Sequence, residues 1–128
     1  MSIPEVAPVV RRISQPMLNA YAEASGDHNP IHIDEAFART TPMGGTIAHG
    51  MLVLGLISEM MTGAFGRRWL EGGTLEVRFR APSRPGDIVT ARARDGKLAD
   101  GRLRYAVECV SQNDELLISG TAEVPSEA

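Results

Sequence analysis

The second half of the chain alternates between apolar and polar residues, with the period of two that a half-buried β-strand requires. In the segment 73–80, Leu75, Val77 and Phe79 occupy one side and mostly charged residues occupy the other. The same alternation recurs in three later segments, which are 87–94, 103–110 and 116–124. Because turn residues separate these segments, the pattern predicts an antiparallel sheet with one covered face.

The first half has the cap and turn residues of a mainly helical region. Residues 6–13 predict a short strand, which their proline would place near a sheet edge. Ser14 is a suitable N-cap for a helix over residues 15–24. The next stretch, 27–45, is predicted to be irregular apart from a short helix at 34–39. Long connections of this kind inside a compact domain are often functional.

The segment 47–64 is predicted to form one long helix with almost no polar face. Its large apolar residues are Met51, Leu52, Val53, Leu54, Leu56, Ile57, Met60 and Met61. A helix that is apolar nearly all round must be surrounded by protein. We therefore predict an α+β fold, in which an antiparallel β-sheet wraps around a long buried central helix within a single domain over residues 1–128.

Composition and charge argue against nucleic-acid binding, secretion and membrane insertion. The net charge is -3 and the pI is near 5.6, whereas nucleic-acid binding usually requires a basic excess. A single cysteine, Cys109, allows no intrachain disulfide, and we expect a reducing, cytoplasmic setting. Residues 1–12 lack the pattern of a secretory signal. The segment 47–61 contains polar residues and glycines, so it predicts a core helix rather than a membrane span.

The string Gly26-Asp27-His28-Asn29-Pro30-Ile31-His32 is the first candidate for chemistry. It places a carboxylate at Asp27 and an imidazole at His32, five positions apart, and we expect Pro30 to prevent a regular helix between them. An acid and an imidazole on an irregular segment suit proton transfer. His28 is expected to be a solvated side chain outside the site.

A second cluster, Ala48-His49-Gly50-Met51, begins the apolar segment. If the helix begins near residues 48–49, its first amides have no acceptor within the helix, and the helix dipole favours negative charge there. Gly50 has no side chain to obstruct a carbonyl group, so its N–H is a candidate oxyanion donor.

Metal and nucleophile chemistries are less well supported by the sequence. His28 and His32 have the i,i+4 spacing of a helical metal site. This spacing brings two side chains together only within a helix, and Pro30 between them disfavours a helix. The chain has no HExxH motif and no Cys/His cluster, so we expect no metal. It also lacks a GxSxG motif, and Cys109 lies in a predicted strand without a nearby histidine in the sequence.

Three motifs together resemble the MaoC-like R-specific enoyl-CoA hydratases and 3-hydroxyacyl dehydratases. They are Tyr21-Ala-Glu-Ala-Ser-Gly-Asp-His-Asn-Pro-Ile-His-Ile-Asp, Ile47-Ala-His-Gly-Met and Arg84-Pro-Gly-Asp. The resemblance covers nearly the whole chain and implies the hotdog fold. It also implies a cofactor-free enzyme that acts on a CoA or acyl-carrier-protein thioester, and a homodimer with each site near the subunit interface.

The resemblance assigns roles to particular residues. It implies that Asp27 and His32 hold one catalytic water and that the Gly50 amide binds the thioester oxygen. We assign Asp27 as the base, and which of the two protonates the α-carbon stays open. The candidate substrate-binding residues are Asn29, His49, Met51, Ser58 and Met61.

Several of these residues have an alternative role. Asn29 is suited to shaping its loop, His49 to a structural hydrogen bond at the start of the helix, and Ser58 to a bond within its own helix. The methionines are also suited to plain core packing. Four arginines are candidates for the coenzyme A phosphates, although a solvated role is favoured for each, and they are Arg67, Arg68, Arg80 and Arg84.

Two other functions stay open at this point. A hotdog acyl-thioesterase would also use an acid and a helix N-terminus, but it would release a free thiol. A non-catalytic thioester-binding subunit would need a heteromeric partner, and the intact Asp27/His32 pair argues against it.

Overall fold

The structure is a computed structural model, and it describes residues 2–127. Helices occupy most of the first half of the chain, and four of the five strands follow them. In chain order the elements are β1 (Val9–Arg12), α1 (Gln15–Ser25), α2 (Pro30–Ile33), α3 (Glu35–Ala38), α4 (Gly50–Phe65), α5 (Arg67–Gly72), β2 (Thr74–Phe79), β3 (Ile88–Ala99), β4 (Arg102–Val110) and β5 (Leu116–Pro125).

The five strands form one antiparallel sheet in the order β1-β3-β4-β5-β2. Cross-strand partners such as Leu103 and Val124, or Tyr105 and Ala122, are buried on the same face. Alternate residues therefore line one covered face, as the period of two predicts. The predicted α+β architecture is confirmed, and β1 and β2 are the two edges of the sheet.

Helix α4 lies against the covered face of the sheet. Its buried residues are Val53, Leu56, Ile57, Met60, Met61 and Phe65. The row formed by Met51, Gly55, Glu59 and Gly63 is exposed instead. The prediction of a helix buried all round is therefore too strong for one chain, because a single sheet covers only one side of a helix.

Several boundaries differ from the predictions for local reasons. Helix α4 begins at Gly50 rather than at residue 47, because His49 has a non-helical ψ of 132° and the Ala48 N–H donates to the Ser83 carbonyl over 2.8 Å. Helix α5 was not predicted, and it follows a sharp turn at Gly66, where φ is 57°. Strand β3 runs on to Ala99 through an irregularity in its pairing.

No regular helix joins Asp27 to His32, as expected, because residues 27–29 are not helical and a helix begins only at Pro30. The short helix α2 itself was not predicted. Pro30 is the first residue of the short helix α2, where a missing N–H costs nothing and the fixed φ of proline suits the helix. Asn29 caps this helix, because its Oδ1 accepts from the Ile31 N–H over 3.0 Å. The short helix predicted at 34–39 is present as α3, with Asp34 as its cap.

Among residues 2–127, no helix has both the length and the apolar character that a membrane span requires.

Candidate active site

The candidate site lies where the end of α1, the loop before α2 and the start of α4 meet. Helix α1 ends at Gly26, whose φ of 79° turns the chain in a way that few other residues tolerate. Hydrogen bonds hold both the backbone and the side chain of the next residue, Asp27. Its N–H donates to the Ser25 hydroxyl over 3.1 Å, and its Oδ1 accepts from the Asn29 N–H over 3.2 Å.

The carboxylate of Asp27 faces the imidazole of His32. Their atoms Oδ2 and Nε2 are 3.8 Å apart, and the His32 side chain is much less exposed than that of Asp27. The opposite ring nitrogen of His32, Nδ1, donates to the Ile47 carbonyl over 2.8 Å. A carbonyl only accepts, so the proton lies on Nδ1 and Nε2 presents a lone pair toward Asp27 when the ring is neutral. The gap is long for a direct hydrogen bond and suits one bridging water.

His49 lies beneath this pair and is 2% exposed. Its ring stacks on that of His32 with centroids 3.9 Å apart, and the Tyr21 ring meets it edge-on at 4.8 Å. Its Nε2–H donates to the Asp27 carbonyl over 3.1 Å. Burial lowers the pKa of His49, the hydrogen bond to Asp27 opposes this shift, and the neighbouring His32 adds to it. The net effect favours the neutral form of His49.

Gly50 is the first residue of α4, so its N–H has no acceptor within the helix. A Cβ at this position would lie 3.0 Å from the Phe79 ring, which explains why a residue without a side chain fits here. An open cavity of ≈ 350 Å³ adjoins this amide. Its lining residues are Tyr21, Ser25, Asp27, His49, Gly50, Met51 and Phe79.

The structure brings some of the predicted site residues together and separates others. Asp27, His49, Gly50 and Met51 line the cavity, and His32 is in contact with two of them. Tyr21, Ser25 and Phe79 were not predicted as lining residues. The motif that begins at Tyr21 was a usable signal for the first two, whereas the alternation in β2 placed Phe79 on the covered face. It is 55% exposed because it lies at the end of the strand, over Gly50.

The remaining candidates lie outside this cavity. Asn29 is exposed and shapes the loop as the cap of α2. Ser58 accepts a hydrogen bond from the Trp69 indole N–H over 3.0 Å, and Met61 is fully buried in the core. Neither is among the residues that line the cavity, so a role for Ser58 or Met61 in binding an acyl chain stays a prediction.

Residues expected to play no part in the chemistry have other contacts. His28 is exposed and bonds the Glu23 carboxylate at 2.9 Å, and this hydrogen bond raises the pKa of His28. Burial raises the pKa of the Cys109 thiol to about 12, so it is a poor nucleophile. Each of the four candidate arginines donates a hydrogen bond within the protein. The acceptors are the Glu71 carboxylate for Arg67, the Ser126 carbonyl for Arg68, the Ser119 hydroxyl for Arg80 and the Met43 carbonyl for Arg84.

Asp27, His32 and His49 are close enough to be considered as metal ligands, because one ligand atom from each lies within 4.8 Å of the others. The two imidazoles are stacked with an interplanar angle of 25°, however. A metal binds in the plane of an imidazole along its lone pair, so an ion in the plane of one ring lies well outside the plane of the other. This geometry favours proton chemistry over metal binding.

A five-stranded antiparallel sheet packed against one long helix is the architecture of the hotdog class of α+β proteins. Residues 5–115 match the model of the MaoC like domain, and the chain belongs to this family. The chain is a hydro-lyase, an enzyme that adds water to its substrate or removes it, because its relatives in this family are named as hydratases and dehydratases.

Two curated relatives are each 39% identical to this chain. One is a 3-hydroxybutyryl-CoA dehydratase from Methylorubrum extorquens, aligned over 119 residues that cover 89% of this chain and 73% of the relative. The other is an (R)-specific enoyl-CoA hydratase from Rhodospirillum rubrum, aligned over 89 residues that cover 66% of this chain and 59% of the relative.

The fold is also similar to solved structures. The R-hydratase PhaJ1 from Pseudomonas aeruginosa, in its unliganded form, superposes with a TM-score of 0.81 at 31% identity. The superposition covers 99% of this chain and 84% of that one. The hotdog fold implied by the sequence motifs is therefore confirmed.

Proposed function

We propose that this chain catalyses the R-specific hydration of trans-2-enoyl thioesters and the reverse dehydration of (R)-3-hydroxyacyl thioesters, without a cofactor. The observation that best supports this proposal is the 3.8 Å gap between the Asp27 carboxylate and His32 Nε2. Asp27 lines the same cavity as Gly50, the first residue of α4, whose N–H has no acceptor within the helix. A base, a water-binding imidazole and an oxyanion donor are the three groups that such a hydration needs.

The proposed reaction follows from these positions. A water held between Asp27 and His32 gives a proton to Asp27 as its oxygen bonds to the β-carbon of the enoyl group. The electron pair of the double bond moves toward the thioester oxygen, where the Gly50 N–H and the dipole of α4 stabilise the growing charge. A proton from the Asp27/His32 pair then reaches the α-carbon, so the net change is the addition of one water.

The substrate carrier is coenzyme A or an acyl carrier protein, because the proposal requires only a thioester carbonyl at Gly50. We also propose that the whole chain, residues 1–128, forms one domain and acts in the cytoplasm. The single buried cysteine is compatible with a reducing compartment.

We propose that two copies of the chain pair along strand β2. This strand is a sheet edge, and an edge presents backbone groups that pair readily with another strand. Two large apolar residues at the cavity are exposed in the single chain, Met51 at 58% and Phe79 at 55%. A second copy beside β2 would cover this region and place each site near the interface. Native mass measurement of the purified protein tests this, and a monomer, or a stable complex with a different chain only, would contradict it.

The function is tested with purified protein and crotonyl-CoA. We expect the enoyl-thioester absorbance to fall as 3-hydroxybutyryl-CoA forms, with the R enantiomer as the product in chiral analysis. A thiol reagent in a parallel reaction should detect no free coenzyme A. Release of the thiol would instead indicate a thioesterase, and binding without turnover would indicate a non-catalytic subunit.

A further inference from the structure

The two stacked histidines have opposite tautomers when both are neutral. His32 donates to the Ile47 carbonyl through Nδ1, whereas His49 donates to the Asp27 carbonyl through Nε2. Carbonyl oxygens only accept, so the donors fix where each proton lies. The free lone pair of His32 faces the Asp27 carboxylate, and that of His49, on Nδ1, is buried without a hydrogen-bond partner among residues 2–127.

A second proton on the His49 ring would lie in an unfavourable environment. It would lie on Nδ1, which is shielded from water and has no acceptor within residues 2–127. A charge there would also lie against the neighbouring ring of His32. His49 is therefore unsuited to proton transfer, although it lies next to the two groups that are proposed to perform it.

His49 instead has contacts with each part of the site. Its Nε2–H holds the backbone of Asp27, which is 22 positions earlier in the chain, and its ring covers one face of His32. It also immediately precedes Gly50, the first residue of α4. The Tyr21 ring meets the His49 ring edge-on, with centroids 4.8 Å apart.

We propose that His49 is a positioning residue, which fixes the separation of Asp27 and His32 mainly through the hydrogen bond to the Asp27 carbonyl, with the stack on the His32 ring as a secondary support. This inference rests on the proposed hydration function and adds to it a residue that handles no proton. A misplacement of about 1 Å at a reacting group costs up to ~10²-fold in rate, so the tether is expected to affect kcat.

The protonation states are tested first, without substrate. The chain has only three histidines, so the variants His28→Asn and His49→Phe assign their imidazole signals in nitrogen-15 NMR spectra. We expect His49 to be neutral with its proton on Nε2, and His32 to carry its proton on Nδ1 when neutral. A charged His49 at about pH 7, or one with its proton on Nδ1, would overturn the proposal.

The tether is tested by two substitutions at the same position. His49→Phe keeps the stacked ring and loses the donor, whereas His49→Gln loses the ring and keeps an N–H at a similar reach. We expect His49→Phe to lower kcat by about 10–100-fold with KM changed by less than about threefold. His49→Gln should recover most of that loss, and His28→Asn, which removes an exposed histidine, should match the wild type.

Three results would contradict the positioning role. They are an unchanged kcat in His49→Phe with only the Tm lowered, a rise in KM alone, and equal losses of kcat in the Phe and Gln variants. The first would indicate a purely structural histidine and the second a substrate contact. If the wild-type protein shows no hydration at all, the proposed function fails, whereas the NMR measurement still decides the tautomers and the charge of His49.

Discussion

The two ends of helix α4 differ in almost every physical respect. At its start, Gly50 and Met51 line an open cavity, the backbone amides have no helical acceptors, and His49 lies beneath the Asp27/His32 pair. Toward its end, Met60 and Met61 are almost fully buried in the core.

Helix α4 therefore has an open end at the proposed site and an apolar end that is buried in the core. Substitutions at the start should change rates, and substitutions toward the end should change the free energy of unfolding.

The largest effect is expected for Asp27→Asn. This variant removes the proposed base but keeps the shape of the side chain, so kcat should fall by ~10²–10⁴-fold. The Tm should change little, because the side chain is about half exposed. Crotonyl-CoA hydration and a thermal melt measure the two quantities, with His28→Asn as the neighbouring control. Near-wild-type activity in a folded Asp27→Asn protein would remove Asp27 as the base.

Met61→Ala examines the other end of the helix. It deletes a fully buried side chain and should lower the free energy of unfolding by about 2–5 kcal/mol. The kcat of the folded protein on a short enoyl thioester should stay close to that of the wild type. Chemical denaturation measures the stability.

A control for Met61→Ala is Gly63→Ala on the exposed row of the same helix. Among residues 2–127, no atom outside the local helix backbone and the adjacent residues lies within 4 Å of the added methyl group, and this variant should be neutral or more stable by up to about 1 kcal/mol. A large loss of activity in Met61→Ala without a loss of stability would contradict the division between the two ends.

Ser58→Ala should have a smaller effect on stability. It leaves the buried Trp69 N–H without the acceptor that it has at 3.0 Å, at a cost of about 1–3 kcal/mol. Activity on short substrates should be retained. Thr62→Val is the matched control, because it removes a hydroxyl that donates to the Ser58 carbonyl of its own helix. A selective change in KM for longer acyl chains in Ser58→Ala would instead support the predicted role of Ser58 in substrate binding.

The smallest effect is a dependence of stability on pH that comes from His49. Burial lowers the pKa of His49 in the folded protein, so below about pH 6.5 the unfolded chain binds a proton that the folded chain does not. Stability from this group is therefore present above that pH and is lost as the pH falls. The variant His49→Phe should lack this contribution. In chemical denaturation, the difference in the free energy of unfolding between the wild type and this variant should therefore shrink as the pH falls from 8 to about 5. A constant difference would show that His49 titrates normally.

Much of the sheet was predictable because strand formation depends on local alternation. The segments near Leu75, Val107 and Ala122 all lie in strands, as the period of two predicted. The boundary of α4 was not predictable, because the hydrogen bond between Ala48 and Ser83 joins segments distant in the chain. The exposed row of α4 was not predictable either, because the apolar composition of a helix does not show which of its sides a single sheet covers.

By itself, the sequence determined the candidate acid, the candidate imidazole and the glycine at the helix start, because Asp27, His32 and Gly50 belong to short motifs whose residue types suit the proposed chemistry. Only the tertiary structure decided the place of His49. Its hydrogen bond to Asp27 and its stack on His32 each join distant chain positions. Contacts of this kind form only when separate elements pack, and no local pattern of residues encodes them.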